Sequence, residues 1–124
     1  MSDLVSQLQQ LVPLVERQHA LIEALRVRSP RPVSSCELAK DLGVSPRTVE
    51  RDIGRLKAAG VPLAAQKGPG GGYRIEAPRR PRPIDLTAGE IAILITSVAI
   101  LGPYSSATGQ SAMAKLLAAL DGGS

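Results

Sequence analysis

The sequence predicts a mainly α chain with one small β-hairpin, on three observations. Among 124 residues there is no Phe and no Trp, and Tyr73 and Tyr104 are the whole aromatic complement. Leu, Ile, Val and Ala must therefore build the core, a composition that suits helix-on-helix packing better than an aromatic-rich sandwich. Apolar positions recur at helical spacing over several stretches, each closed by glycine or proline, and one short segment instead alternates inward and outward residues after a glycine-rich turn. Apolar content of 44% with 21% charged residues is ordinary for a folded chain and argues against wholesale disorder. The length allows one domain of ordinary size, or a small domain with an appendage.

Leu4, Leu8, Leu11 and Val15 make an N-terminal stripe, and Pro13 is expected to kink or break the helix that carries it. A helix is then predicted over 17–27, with Leu21, Ile22 and Leu25 on one face, because Ser29-Pro30-Arg31-Pro32 cannot continue it. Ser34-Ser35-Cys36-Glu37 has capping-box spacing: Ser34 takes an orphan amide, and Glu37 reaches back to the Ser34 N–H. The short helix that follows runs to Leu42, where Gly43 can take the left-handed conformation that ends it. Ser45-Pro46 then supplies an N-cap followed by proline at the first helical position, opening a third helix over 46–59.

Two short helices joined by Gly43-Val44-Ser45 fit a helix-turn-helix. On the third helix Val49, Ile53 and Leu56 cluster on one side, with Arg47, Arg51 and Arg55 opposite them at i, i+4, i+8. Gly54 falls among those arginines, where a missing side chain leaves room for a phosphate or base edge, although it weakens the helix by up to ~1 kcal/mol relative to alanine. Thr48, in the first turn, can meet a thymine methyl or a phosphate. Asp52 lies toward the buried edge and is assigned to holding a neighbouring arginine or a backbone amide.

After Ala59-Gly60, residues 61–67 read as a strand that Pro62 confines to an edge or a strand start. Gly68-Pro69-Gly70-Gly71-Gly72 is a turn, and Tyr73 and Ile75 point inward while Arg74 and Glu76 point outward. The hairpin is a wing, so the predicted architecture is a winged helix-turn-helix plus terminal helices. Lys67 and Arg74 flank its tip, where exposed amides and two cations suit a phosphate backbone or a minor groove. A nucleotide-binding loop is excluded by context, since a P-loop needs G-K-[ST] and a helix after its glycines, and here a strand follows.

The charge is unevenly spread. Residues 14–83 hold 14 basic and 7 acidic residues, a net +7, whereas 1–13 carry −1 and 84–124 carry −2, within a whole-chain charge of +4. A basic middle between neutral-to-acidic ends suits a polyanion partner for one segment and assembly for the others. Cys36 and His19, each the sole residue of its kind, exclude an internal disulfide and leave too few ligands for zinc, so no metal or other cofactor is expected. No paired carboxylates and no partnered nucleophile stand out, so the chain is not expected to be an enzyme. No signal peptide is visible, and the longest apolar stretch, 91–101, includes Thr96 and Ser97 and is about half the ~20 residues a membrane span needs. A cytoplasmic, nucleoid-associated location is expected.

The run Val33 to Ile53, containing Ser45-Pro46-Arg47-Thr48-Val49-Glu50-Arg51-Asp52-Ile53, and the later Gly68-Pro69-Gly70-Gly71-Gly72-Tyr73-Arg74-Ile75 together resemble a known family. They are similar to the N-terminal winged helix-turn-helix of bacterial WYL-domain transcriptional regulators, related to the DeoR-like group, over about residues 14–78. The resemblance implies a sequence-specific regulator of transcription that binds double-stranded DNA. It implies contacts from Ser45, Arg47, Thr48 and Arg51 on the recognition helix and from Gly70, Gly71 and Arg74 on the wing. Ser35, Arg55 and Lys67 complete the candidate DNA-binding set. Such regulators continue into a large sensing domain named for its W-Y-L signature; these 124 residues hold none, so a ligand-sensing role carried there is not expected. The wing also resembles that of winged-helix repressors that bind an iron-sulfur cluster, which Cys36 alone could not hold.

Residues 79–86 form a basic, Pro-rich linker. Thr87-Ala88-Gly89-Glu90 is a second capping box, opening a helix expected to reach Leu101 and to stop at Gly102-Pro103. Its apolar residues, Ile91, Ile93, Leu94, Ile95, Val98, Ile100 and Leu101, cover nearly the whole circumference, so burial on all sides is expected. A last helix over about 106–120, with Met113, Leu116, Leu117 and Leu120, would cover one face. The expected organisation is a helical extension at 1–13, the winged helix-turn-helix at 14–78, the linker, and a helical hairpin at 87–121, with a homodimer formed through the terminal helices. The competing reading is a winged-helix protein-interaction module that assembles through those apolar helices without specific DNA binding. Tyr73 is committed to the wing core, which leaves too little stacking surface for single strands.

Overall fold

The computed structural model describes residues 2–78, 80–101 and 106–121, with the side chains of 2–12 and 101 left aside. The elements in chain order are α1 (Ser2–Arg28), α2 (Ser35–Leu42), α3 (Pro46–Ala58), β1 (Leu63–Gln66), β2 (Gly72–Ile75), α4 (Ala88–Leu101) and α5 (Ala107–Ala119). The fold is mainly helical with one antiparallel two-stranded hairpin, consistent with a winged helix-turn-helix. Residues 20–81 form one compact unit, and the described residues of 1–19 and 82–121 belong to another.

The predicted break at Pro13 does not occur. One helix, α1, runs through Pro13, which is exposed. Proline removes one i to i−4 hydrogen bond, and the turns on either side carry the helix across the gap. The helix predicted over 17–27 is thus the second half of α1, and the line drawn between residues 13 and 14 falls inside a continuous element.

Within the 20–81 unit, Leu21 and Leu25 of α1, Leu38 and Ala39 of α2, Val49, Ile53 and Leu56 of α3, Leu63 of β1 and Val33 form the core, with Tyr73 and Ile75 packed against it. Burying each large aliphatic side chain stabilises the unit by about 1.5–3 kcal/mol. Helix α2 begins where Ser34 Oγ accepts the Glu37 N–H at 3.1 Å and ends at Gly43, whose φ of 69° lets its N–H donate to the Ala39 carbonyl. The capping box is half formed: the Glu37 carboxylate lies 3.7 Å from the Arg31 guanidinium, whose charge competes with the Ser34 N–H. Arg28 and Asp41, 2.6 Å apart, tie the end of α1 to α2.

The first strand is shorter than residues 61–67. The Val61 N–H closes onto the Leu56 carbonyl and the Leu63 N–H onto the Val61 carbonyl, so Val61 and Pro62 make the exit from α3, and Lys67 belongs to the tip. Strands β1 and β2 pair from Leu63 with Ile75 to Gln66 with Gly72. The turn between them closes with the Gly71 N–H on the Gly68 carbonyl at 2.9 Å, and Gly70 at φ 74° after Pro69 has the type II signature. Tyr73 and Val33 exchange two backbone hydrogen bonds of 2.8 Å each, adding a one-residue third strand to the wing.

In the other unit, α4 opens with a complete capping box: the Thr87 N–H donates to Glu90 at 2.8 Å and the Glu90 N–H to Thr87 Oγ1 at 3.1 Å. The hydrogen bond from the Thr87 backbone holds the Glu90 carboxyl below its ordinary value, because it favours the charged form. Helix α5 starts at Ser106, which accepts the Gly109 N–H at 2.9 Å, and packs against α4. Burial of α4 on all sides is not found. Ile91 is its one buried described side chain, while Ile93 (69%) and Ile100 (53%) are exposed, as are Leu94, Leu117 on α5 and Leu120 just after it. Helix α5 covers only one side of α4, which leaves much of its apolar circumference exposed. Gly102, Pro103 and Tyr104 lie outside the described residues.

Candidate nucleic-acid interface

The candidate interface begins with how α3 is held. Ser45 Oγ accepts the Thr48 N–H at 3.1 Å and lies 3.0 Å from Thr48 Oγ1, so two residues predicted to touch DNA also fix the first turn of the helix. Pro46 occupies the position where its missing N–H costs nothing. Val49, Ile53 and Leu56 are buried, and this locks the rotation of α3 about its axis. The opposite face is thereby committed to solvent.

On that face Arg47 and Arg51 are exposed and make no ion pair or hydrogen bond among the described residues. Gly54 lies beside them, and a Cβ there would meet no atom within 4 Å. Arg55 differs. Its guanidinium lies 3.4 Å from Asp52, whose side chain is wholly buried, while Arg55 itself remains about half exposed. Asp52 therefore has the structural position expected of it, and Arg55 is only partly available. Glu50, which the sequence pattern does not single out, is exposed at the edge of the arginine face, where a carboxylate can accept from the amino group of cytosine.

The wing divides in the same way. Lys67 is exposed at the tip without a partner among the described residues. Arg74 is turned back along the hairpin, 3.4 Å from Gln66 Oε1 and 3.3 Å from Glu76 Oε1. Gly70 faces open space, but a Cβ on Gly71 would overlap the Gln66 carbonyl, so at Gly71 the close approach is within the hairpin. The residue not singled out by sequence is Gly72. At φ 151° its α-carbon lies so near the Val33 carbonyl that a Cβ would overlap it. Only the three-glycine run hinted at this, and it does not say which glycine meets which chain segment. Ser35 is half-buried at the start of α2.

Residues 17–74 match the HTH domain family. The match takes in the second half of α1, both short helices and the hairpin through Arg74, and it supports a helix-turn-helix DNA-binding domain in this part of the chain. No solved structure matches the chain at a significant level. Among the described residues no group of three or more His, Cys, Asp or Glu side chains stands near the HTH domain or elsewhere in a metal-holding arrangement. No helix among them is long and apolar enough to cross a membrane.

Proposed function

We propose that the protein is a sequence-specific regulator of transcription of the WYL and DeoR-like kind, cytoplasmic and nucleoid-associated, that binds double-stranded DNA as a homodimer and catalyses no reaction. The observation that carries this reading is the pair Arg47 and Arg51, exposed and unpartnered among the described residues, on a helix whose other side is fixed in the core. Helix α3 enters the major groove, where an arginine fork suits guanine O6 and N7. The wing then rests Lys67 and its tip amides on the backbone or the minor groove. The exposed Ile93, Leu94 and Ile100 support assembly through α4 and α5, and a symmetric pair would present two recognition helices to half-sites about 34–36 Å apart or a multiple of that.

Selection of bound sites from a random duplex library tests the proposal. An enriched pseudo-palindrome is the expected result, and Arg51→Ala should weaken binding to it by about 1–3 kcal/mol while relaxing preference at one base pair. A library in which no duplex is enriched would favour the protein-interaction module instead, since the same apolar helices serve assembly either way.

A further inference from the structure

We propose that Arg80-Pro81-Arg82-Pro83 is a third DNA-contacting element, an extended arm that follows the wing and lies in the minor groove. The inference rests on the DNA-binding reading above and adds a contact that lies beyond the HTH domain match, which ends at residue 74. The described residues between Ile75 and Ala88 form neither helix nor strand, and residues 80–85 are all exposed. Arg80 and Arg82 make no ion pair or hydrogen bond among the described residues, in contrast to Arg74 on the wing, which is engaged by Gln66 and Glu76. The first acid after them is Asp85.

The chemistry of the segment selects the partner. Pro81 and Pro83 lack an N–H, so alternate positions cannot donate to a sheet ladder, and their fixed φ holds the chain extended at about 3.1 Å per residue. A segment already extended loses little freedom on binding. A minor groove about 6 Å wide admits an extended chain but not a helix, and its negative potential deepens where A·T tracts narrow it, which draws in arginine. Arg80 and Arg82 stand about 6 Å apart along such a chain, close to two base-pair steps of ~3.4 Å. Four residues separate Ile75 from Arg80, and the five steps reach at most about 18 Å, so the arm can enter the duplex beside the wing.

The test uses the full chain and fluorescence anisotropy with two 25-base-pair duplexes, one holding an A-tract and one G·C-rich, over a range of salt concentrations. Arg80→Gln/Arg82→Gln removes two charges from exposed positions, so its circular-dichroism melt should match wild type. The expected result is a salt slope shallower by about 1.8, equivalent to about 30-fold weaker binding at 0.15 M salt if the two chains converge at 1 M. Wild type should also prefer the A-tract duplex, and the double variant should lose that preference. An unchanged slope and preference in the variant, with a wild type that binds duplex, overturns the arm and leaves the helix-turn-helix reading standing. A shallower slope with the A-tract preference intact also overturns it, because the arginines then meet phosphates outside the groove. A wild-type chain with no affinity for either duplex at low salt overturns the DNA-binding reading and the arm together.

Discussion

Replacing Gly72 with alanine should break the contact between the wing and the 33–34 segment. The new Cβ would overlap the Val33 carbonyl and lie 2.6 Å from the Ser34 nitrogen, all backbone atoms that cannot rotate away. Either β2 or the 33–34 segment must retreat, and both hydrogen bonds between Val33 and Tyr73 go with it. Two such bonds contribute about 1 kcal/mol each, and an L side chain at φ 151° adds strain of roughly 1–3 kcal/mol, so the expected loss is about 3–5 kcal/mol. Small domains are stable by only about 5–15 kcal/mol in total. Urea unfolding followed by far-ultraviolet circular dichroism measures the loss, and at about 1 kcal/mol per molar urea the midpoint should fall by about 3–5 M or the variant should arrive unfolded. Gly70→Ala is the control. Its φ of 74° also disfavours a side chain, but the space around it is open, so the cost should stay near 1–2 kcal/mol. A Gly72→Ala protein within 1 kcal/mol of wild type, or one more stable than Gly70→Ala, would refute the close-approach argument.

Other perturbations separate the roles of charge and apolar surface. Asp52→Ala should destabilise the fold by about 1–3 kcal/mol in the same urea assay, since it removes a buried carboxylate bonded to Arg55; a change below 0.5 kcal/mol, taken as roughly the scatter of surface substitutions, would make Asp52 incidental. Glu90 has a lowered pKa in the fold, so its contribution is present above the ordinary carboxyl value and is lost as pH falls through the lowered one. Helicity measured by circular dichroism should accordingly decline on the acid side in wild type, and Glu90→Gln should flatten that part of the profile. Ile93→Glu/Ile100→Glu should convert a sedimenting dimer into a monomer at micromolar concentration; wild type that is already monomeric would remove α4 from any self-association.

The features legible in the sequence are those whose causes lie within four residues. Ser34, Gly43, the Ser45-Pro46 pair and the Thr87/Glu90 box each set a helix end through a neighbour on the same turn, and each is found in place. The burial of Asp52 followed from the same helical geometry. What escaped depends on partners far along the chain or on competition. Glu37 was drawn from its box by Arg31, and Arg74 was claimed by Gln66 across the hairpin, a contact that needs the strand register to be known. Gly72 answers to Val33, nearly forty residues earlier. At Pro13 the helix on both sides carries through, so the break that the local rule allows does not form. The apolar wheel of α4 showed that it needs covering, but a wheel carries no information about what does so.

The exchange of hydrogen bonds between Val33 and Tyr73 closes a ring of chain that contains all of α2 and α3. A hairpin such as β1–β2 zips within about 1–10 μs, whereas joining the ring must wait for a long loop to close. The kinetic order that follows is helix pair and hairpin first, ring last. In the native state the Val33 and Tyr73 amides can reach solvent deuterium only when that ring opens, so their exchange should track the slowest amides of α3 rather than those of the wing tip. Hairpin and helix pair then breathe as one cooperative unit.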